Sequence, residues 1–281
     1  MDLLQLNKFG NLHNGKEIIF CKTEYLRTEF KKIKKLKNEI ILISGNSDIG
    51  IDVSLTSRMP DNILVWYCQN KLLYHDKLRS IPIGLENTFK NKRQGHGVEW
   101  PHAAQKVQML NKFNYGEGKR LPTNFIYANF NVQTNITHRA PIRDLCILSP
   151  FINWDEPSLN YDEFIGSVLD HEAIVCPAGN GIESHRLYEI LYCGRIPITI
   201  KTGNYPIYTD LYEKLPVVIL DSIADLKDGD KLREMIRVAK QKPIKHELLD
   251  FKYWQQVITN DSNRIVKKDA NIVTKFLDFI Y

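Results

Sequence analysis

Glu183, Ser184, His185, Arg186 and Glu189 fall within seven positions of one another, in the run Ala173-Ile-Val-Cys-Pro-Ala-Gly-Asn-Gly-Ile-Glu-Ser-His-Arg-Leu-Tyr-Glu-Ile-Leu-Tyr-Cys-Gly-Arg-Ile-Pro-Ile. The order of residue types predicts strand, tight loop, helix and strand. Pro177 ends an apolar strand, and Gly179 and Gly181 let the backbone turn and approach a ligand closely. A helix starting at about Glu183 offers free N–H groups and a partial positive charge, a site for phosphate. Leu187, Ile190 and Leu191 share one face of that helix and would pack on the sheet. Gly194 ends it.

A dinucleotide fingerprint needs a third glycine and an acidic residue about 20 positions on. Here Ser184 holds the glycine position, and Lys201-Thr-Gly-Asn offers no acid for a ribose. Phosphate binding stands without the dinucleotide. Arg186 and Glu189, three apart, fit either a surface ion pair or a pair of ligand contacts. His185 fits either a structural hydrogen bond or a contact to substrate, and Asn129 and Asn131 are loop polars of either kind.

The same residues carry a resemblance. Pro177-x-Gly-Asn-Gly-Ile-Glu-Ser-His-Arg-Leu-Tyr-Glu-x-Leu-x-x-Gly-x-Ile-Pro-Ile resembles the signature of exostosin-type glycosyltransferases. Tyr208-Thr-Asp210-Leu-Tyr212-x-x-Leu-Pro216-Val-Val resembles its continuation, and Ile126-Tyr-Ala-Asn129-Phe-Asn131-x-x-Thr-Asn135-x-x-x-Arg139 the opening of its donor domain. The three blocks occur in order over residues 124–220. The earlier residues resemble the family only loosely. Small soluble members of bacteria and large algal viruses are the most similar in form.

The resemblance implies an α/β GT-B fold, two Rossmann-like doubly wound domains with a cleft between them. Residues 1–118 would bind the acceptor and 119–281 the nucleotide sugar, the C-terminal helix packing back on the first domain. It implies an inverting transfer from a UDP-sugar to a glycan hydroxyl, with no metal and no other cofactor. UDP-xylose is the first expectation, ahead of UDP-glucuronic acid, UDP-GlcNAc and UDP-galactose. Arg139 and Arg186 would neutralise the diphosphate and Glu189 would accept the ribose hydroxyls. The loop from Gly181 to Ser184 would assist the phosphates, with Glu183, His185 and Asn131 completing the donor site. Many relatives carry Asp where this chain has Glu183. A sugar-nucleotide epimerase or hydrolase, or a non-catalytic glycan-binding protein on the same fold, is the alternative.

An inverting transfer needs a base for the acceptor hydroxyl. Asp48, after an apolar run at 40–43, and Glu86, after one at 81–83, are the candidates from the first half. Asp48 also suits a helix N-cap and Glu86 a turn. His13, His75 and His96 lie in polar loops and are weaker. Asp228-Gly-Asp230 looks like a metal-binding D-x-D, but it precedes a helical pattern and reads as turn plus N-cap. No spacing of His, Cys and carboxylates predicts a metal site.

The elements that must position these residues alternate. Apolar runs at 18–21, 40–43, 63–67, 81–83, 125–128, 173–176, 196–200 and 217–220 predict buried parallel strands. Helical patterns at 24–37, 100–112, 161–169, 183–193, 230–240 and 248–281 lie between and after them, giving an α/β chain. The polar, glycine-bearing stretch 114–122 is the expected linker. The 281 residues, 43% hydrophobic and 25% charged with net charge +5, suit a soluble protein with a sizeable core and do not suit a nucleic-acid binder. Five cysteines without C-x-x-C spacing predict reduced, buried thiols. No leader-like start and no run long enough to span a bilayer is visible, so a cytoplasmic location is expected. The sequons at Asn135 and Asn260 then carry no glycan. Leu26, Phe30, Ile33 and Leu36 define a helix with a lysine-rich outer face, either solvated or in loose contact with an anionic membrane. Trp66, Trp100, Trp154 and Trp254 are scattered, and any could be core or could stack on a sugar.

Overall fold

The structure, a computed structural model, describes residues 1–89, 94–96, 99–113, 120–157, 160–242 and 245–277, without the side chains of 265–277. It is an α/β chain with two parallel sheets. The first contains β1 (Ile18–Lys22), β2 (Ile40–Gly45), β3 (Ile63–Cys68) and β4 (Leu78–Ser80), in that order. The second contains β5 (Asn124–Ala128), β6 (Ile152–Trp154), β7 (His171–Val175), β8 (Ile196–Ile200) and β9 (Val218–Leu220). Its order is β6-β5-β7-β8-β9, so the winding reverses at β5. The first sheet shows no such reversal among its described strands.

Alternation along each strand builds three apolar layers. On β2, Ile40 and Leu42 face one layer with Phe30, Ile33 and Trp66. Ile41 and Ile43 face another, together with Ile174, Leu187 and Tyr188 of the second half and Leu248, Trp254 and Ile258 of the tail. On β7, Ala173 and Val175 point the other way, toward Ile142, Ile198 and Ile236. The middle layer is therefore shared by both halves. Helix α9 (Phe251–Leu277) joins it to the chain start, where Phe251 N donates to Asp2 O at 2.9 Å, and to β3, where Tyr67 donates to Asp261 Oδ2 at 2.6 Å.

Helices α1 (Leu26–Ile33) and α2 (Val53–Thr56) cover the outer face of the first sheet through Leu26, Phe30 and Leu55. The later helices are α3 (Ala103–Lys112), α4 (Ile136–Leu148), α5 (Tyr161–Asp170), α6 (His185–Tyr192), α7 (Pro206–Asp210) and α8 (Gly229–Gln241). The strand expected at 81–83 is displaced: the ladder runs through the more polar Leu78–Ser80, while Pro82 has no N–H to extend it. Buried Ile81 instead fills the shared layer. The sequence pattern also missed α4 and β6. Pro141 lies inside α4, and β6 has three residues. The expected linker falls largely on 114–119, outside the described residues, as does the 118/119 boundary. All five cysteines are free and buried. No helix among the described residues is long and apolar enough to cross a membrane.

Candidate functional site

Neighbouring β5 and β7 end at the point where the second sheet reverses its winding. Open α/β sheets bind ligands at such a switch point, outside the carboxyl ends of the strands. Here the loop after β5 carries Asn129 and Asn131, and the loop after β7 carries residues 177–184. Asn135 joins the two: its side chain caps α4 by accepting from His138 N at 3.3 Å and donates to Gly179 O at 2.8 Å.

Arg139 comes from the first turns of α4 and is 8% exposed. Its guanidinium donates to Ala178 O and Asn131 O, both at 2.8 Å, and to Pro177 O at 3.4 Å. It thus knits the two loops together. No carboxylate pairs with it among the described residues. Burial and the neighbouring Arg186 pull it down to about 10. A buried cation short of an anion, beside a second arginine, is a costly arrangement that an anionic ligand would relieve.

Arg186, in the first turn of α6, stacks on Phe164 with its guanidinium carbon 3.7 Å from the ring centre. It donates to Asn129 O at 3.1 Å, and its Nε lies 3.2 Å from Glu189 Oε2. The ion pair that the spacing allowed is therefore present, but Glu189 is buried, at 2% exposure, and the pair is not a surface one. Glu189 Oε2 makes no hydrogen bond. Its other oxygen lies 3.6 Å from Lys106 Nζ, which in turn lies 2.8 Å from Glu86 Oε2. Lys106 also sits over Tyr161, 5.3 Å from the ring centre. A carboxylate of each half thus meets one ammonium, and Glu86 is brought to Glu189 and Arg186 of the second half.

Glu183 is buried and its described bonds run to protein groups. Tyr188 donates its hydroxyl at 2.6 Å, Ile83 N donates at 3.1 Å and Asn70 N at 3.5 Å. Burial outweighs these bonds and raises the carboxyl to about 7. Gly181 gives room to the Asn70 side chain, since a Cβ there would lie 2.7 Å from its Nδ2. Helix α6 begins at His185, two residues later than the sequence pattern suggested, and Ser184 is its N-cap without a side-chain capping bond. His185 donates from Nδ1 to Gly84 O at 2.8 Å, which leaves Nε2 as an acceptor. Burial lowers its titration and favours the neutral ring.

Asn131 caps the short helix that follows it by accepting from Gln133 N at 2.9 Å. Asp48 is exposed and takes part in none of the described hydrogen bonds or ion pairs. The N-cap nearby is Asp52, which accepts from Leu55 N at 3.0 Å. Asp228 accepts from Lys231 N at 2.9 Å, the N-cap expected for it. His13 Nδ1 accepts from Phe20 N at 3.2 Å, and His75 Nδ1 from Lys77 N at 3.1 Å. The fold brings ligand atoms of Cys21, Glu29 and His96 within 4.8 Å of one another. His96 Nδ1 accepts from Lys22 N at 2.8 Å, so in the neutral ring the other nitrogen holds the proton and is not a ready metal ligand.

Lys106, Asn70 and Tyr188 were not singled out by the sequence. Lys106 lies on a helical pattern with no motif around it, and its two carboxylates are distant in the chain. Asn70 adopts a φ of 52°, which asparagine tolerates better than most residues but which no local sequence pattern announces. No protein-family model matches the chain, and no match is found among curated proteins.

Proposed function

We propose that the protein is an inverting glycosyltransferase of GT-B architecture that transfers a sugar from a UDP-sugar to a hydroxyl of a glycan. One observation carries this reading: Arg139, buried at the switch point with no carboxylate partner among the described residues, lies beside Arg186. Two neighbouring arginines, one of them without a carboxylate partner among the described residues, suit a diphosphate that gains charge as it leaves. The resemblance to exostosin-type enzymes names the ligand class and implies that no divalent cation takes part. UDP-xylose is the first donor to try.

In this reading Arg139 and Arg186 hold the diphosphate, and Glu189 Oε2 accepts a ribose hydroxyl in place of the hydrogen bond it lacks. Glu86 takes the proton from the acceptor hydroxyl as that oxygen bonds to the anomeric carbon. The bond from that carbon to the diphosphate breaks with inversion, and UDP departs. Glu86 is preferred to Asp48 because Lys106 links it to Glu189, whereas Asp48 is exposed. Glu183 and Gly181 position the donor loop against the first half.

Thermal stabilisation by UDP, GDP, CMP and NAD tests the reading, followed by transfer from UDP-sugars to glycan acceptors. UDP should stabilise the protein and a UDP-sugar should be consumed only with an acceptor. No response to UDP would overturn the proposal.

A further inference from the structure

The four tryptophans have different surroundings. Trp66 and Trp254 are buried, and Trp154 packs nearly perpendicular to Phe130 with ring centres 5.1 Å apart. Trp100 is 47% exposed. Its ring meets His185 of the second half at 74°, with centres 6.3 Å apart. Its backbone N–H donates to Asn87 O at 3.2 Å, and its backbone carbonyl accepts from Ala103 N at 3.3 Å. Trp100 is thus fastened both to the segment bearing Glu86 and to the start of α3, which bears Lys106.

An indole half open to water costs free energy that burial in the core would recover. Here it packs on His185, an imidazole that lies within reach of the charges of Glu86, Glu189 and Lys106. A pyranose matches both parts, with C–H groups on its faces and hydroxyls around its edge. The nearly perpendicular packing on His185 leaves an indole face free of the imidazole.

We propose that Trp100 is the platform of an acceptor subsite. It takes the face of a pyranose ring whose hydroxyl is presented to Glu86, while His185 Nε2 is available to accept from a second hydroxyl. This proposal rests on the glycosyltransferase reading for the identity of the bound group as acceptor. It explains how the first half, which lacks a switch point among its described strands, could still hold a sugar: the subsite is shared with His185 of the donor half.

The test uses iodide quenching of tryptophan fluorescence, because iodide reaches exposed indoles. Wild type should show a quenchable component that Trp100→Phe lacks. Methyl glycosides of xylose, glucose, galactose, mannose and fucose are then added with and without UDP. At least one should shield that component. Trp100→Ala should raise the KM for the shielding glycoside in UDP-sugar-dependent transfer by about tenfold, while UDP still stabilises the variant as it does wild type. Shielding without any UDP response would retain the subsite and remove the transferase. If no glycoside shields Trp100, or if Trp100→Ala transfers to the shielding glycoside with unchanged KM, the proposal is overturned.

Discussion

Glu183 and Asn70 bond to each other in both directions across the two halves. Glu183 N donates to Asn70 Oδ1 at 3.2 Å, and Asn70 N donates to the Glu183 carboxylate at 3.5 Å. Asn70 Nδ2 continues to Ser47 O at 3.0 Å, so the loop after β2 is tied through Asn70 to the loop before α6. A second polar contact lies farther along the same interface, where Lys71 Nζ and Ser80 Oγ reach Asp210 Oδ2 at 2.9 and 2.7 Å. The loop before α6 is thus set by the first half as well as by its own sheet.

Stability should depend on pH through Glu183. Its carboxyl is raised from 4.5 to about 7. Between those values the folded protein holds a proton there that the unfolded chain has lost. Stability from this group is therefore full below about 4.5 and falls as pH climbs through the window, by up to about 3 kcal/mol. Tyr188 and Tyr212, which face the carboxyl, are held neutral well above this range. Glu183→Gln should flatten the fall in Tm between pH 5 and 7.5. An unchanged slope in the variant would show that another group is responsible.

Arg139→Lys separates the two duties of Arg139. Lysine keeps the charge but cannot donate to three carbonyls from a planar fork. UDP affinity should fall by about tenfold to a hundredfold, while uridine, which lacks phosphates, should bind the variant as it binds wild type. The apo Tm should drop as well, because the two loops lose their tie. Equal loss of uridine and UDP binding, measured by calorimetry, would mean that Arg139 is purely structural.

Glu86→Gln should lower kcat by about a hundredfold or more and leave UDP affinity unchanged, as expected for loss of a general base. Asp48→Asn should stay near wild type in both. Transfer kinetics and UDP titration on the two variants decide between them. Full transfer by Glu86→Gln would eliminate it, and a collapse with Asp48→Asn would move the base to the loop after β2.

Local patterns account for much of what could be read in advance. The strand at 196–200 and the helix bearing Arg186 and Glu189 follow from a β-branched run and from helical spacing on one apolar face. So does the cap at Asp228. What escaped depends on contacts between distant segments or on elements with weak periodicity. A three-residue strand such as β6 has too few positions to show alternation, and Pro141 argues against the helix it sits in. Glu183 shows the limit most directly. Its place in the motif suggested a ligand contact, but its partners Asn70 and Ile83 come from loops that meet it only after both halves pack. Lys106 escaped for the same reason.

Glu189 carries the last prediction, because its buried Oε2 makes no hydrogen bond while the carboxylate lies near Arg186 and Lys106. A simple loss of UDP affinity in Glu189→Ala would not settle its role, since removing the carboxylate also strands two cations. The comparison of UDP with 2′-deoxy-UDP does. If Glu189 accepts the ribose 2′-hydroxyl, wild type should prefer UDP by about tenfold, the value of one hydrogen bond to a charged acceptor. In Glu189→Ala the two ligands should bind equally, whatever the overall weakening. Glu189→Gln, which keeps an oxygen but not the charge, should fall between. A preference for UDP that survives intact in Glu189→Ala would assign the ribose contact to another residue and leave Glu189 as the counter-charge of Arg186 and Lys106.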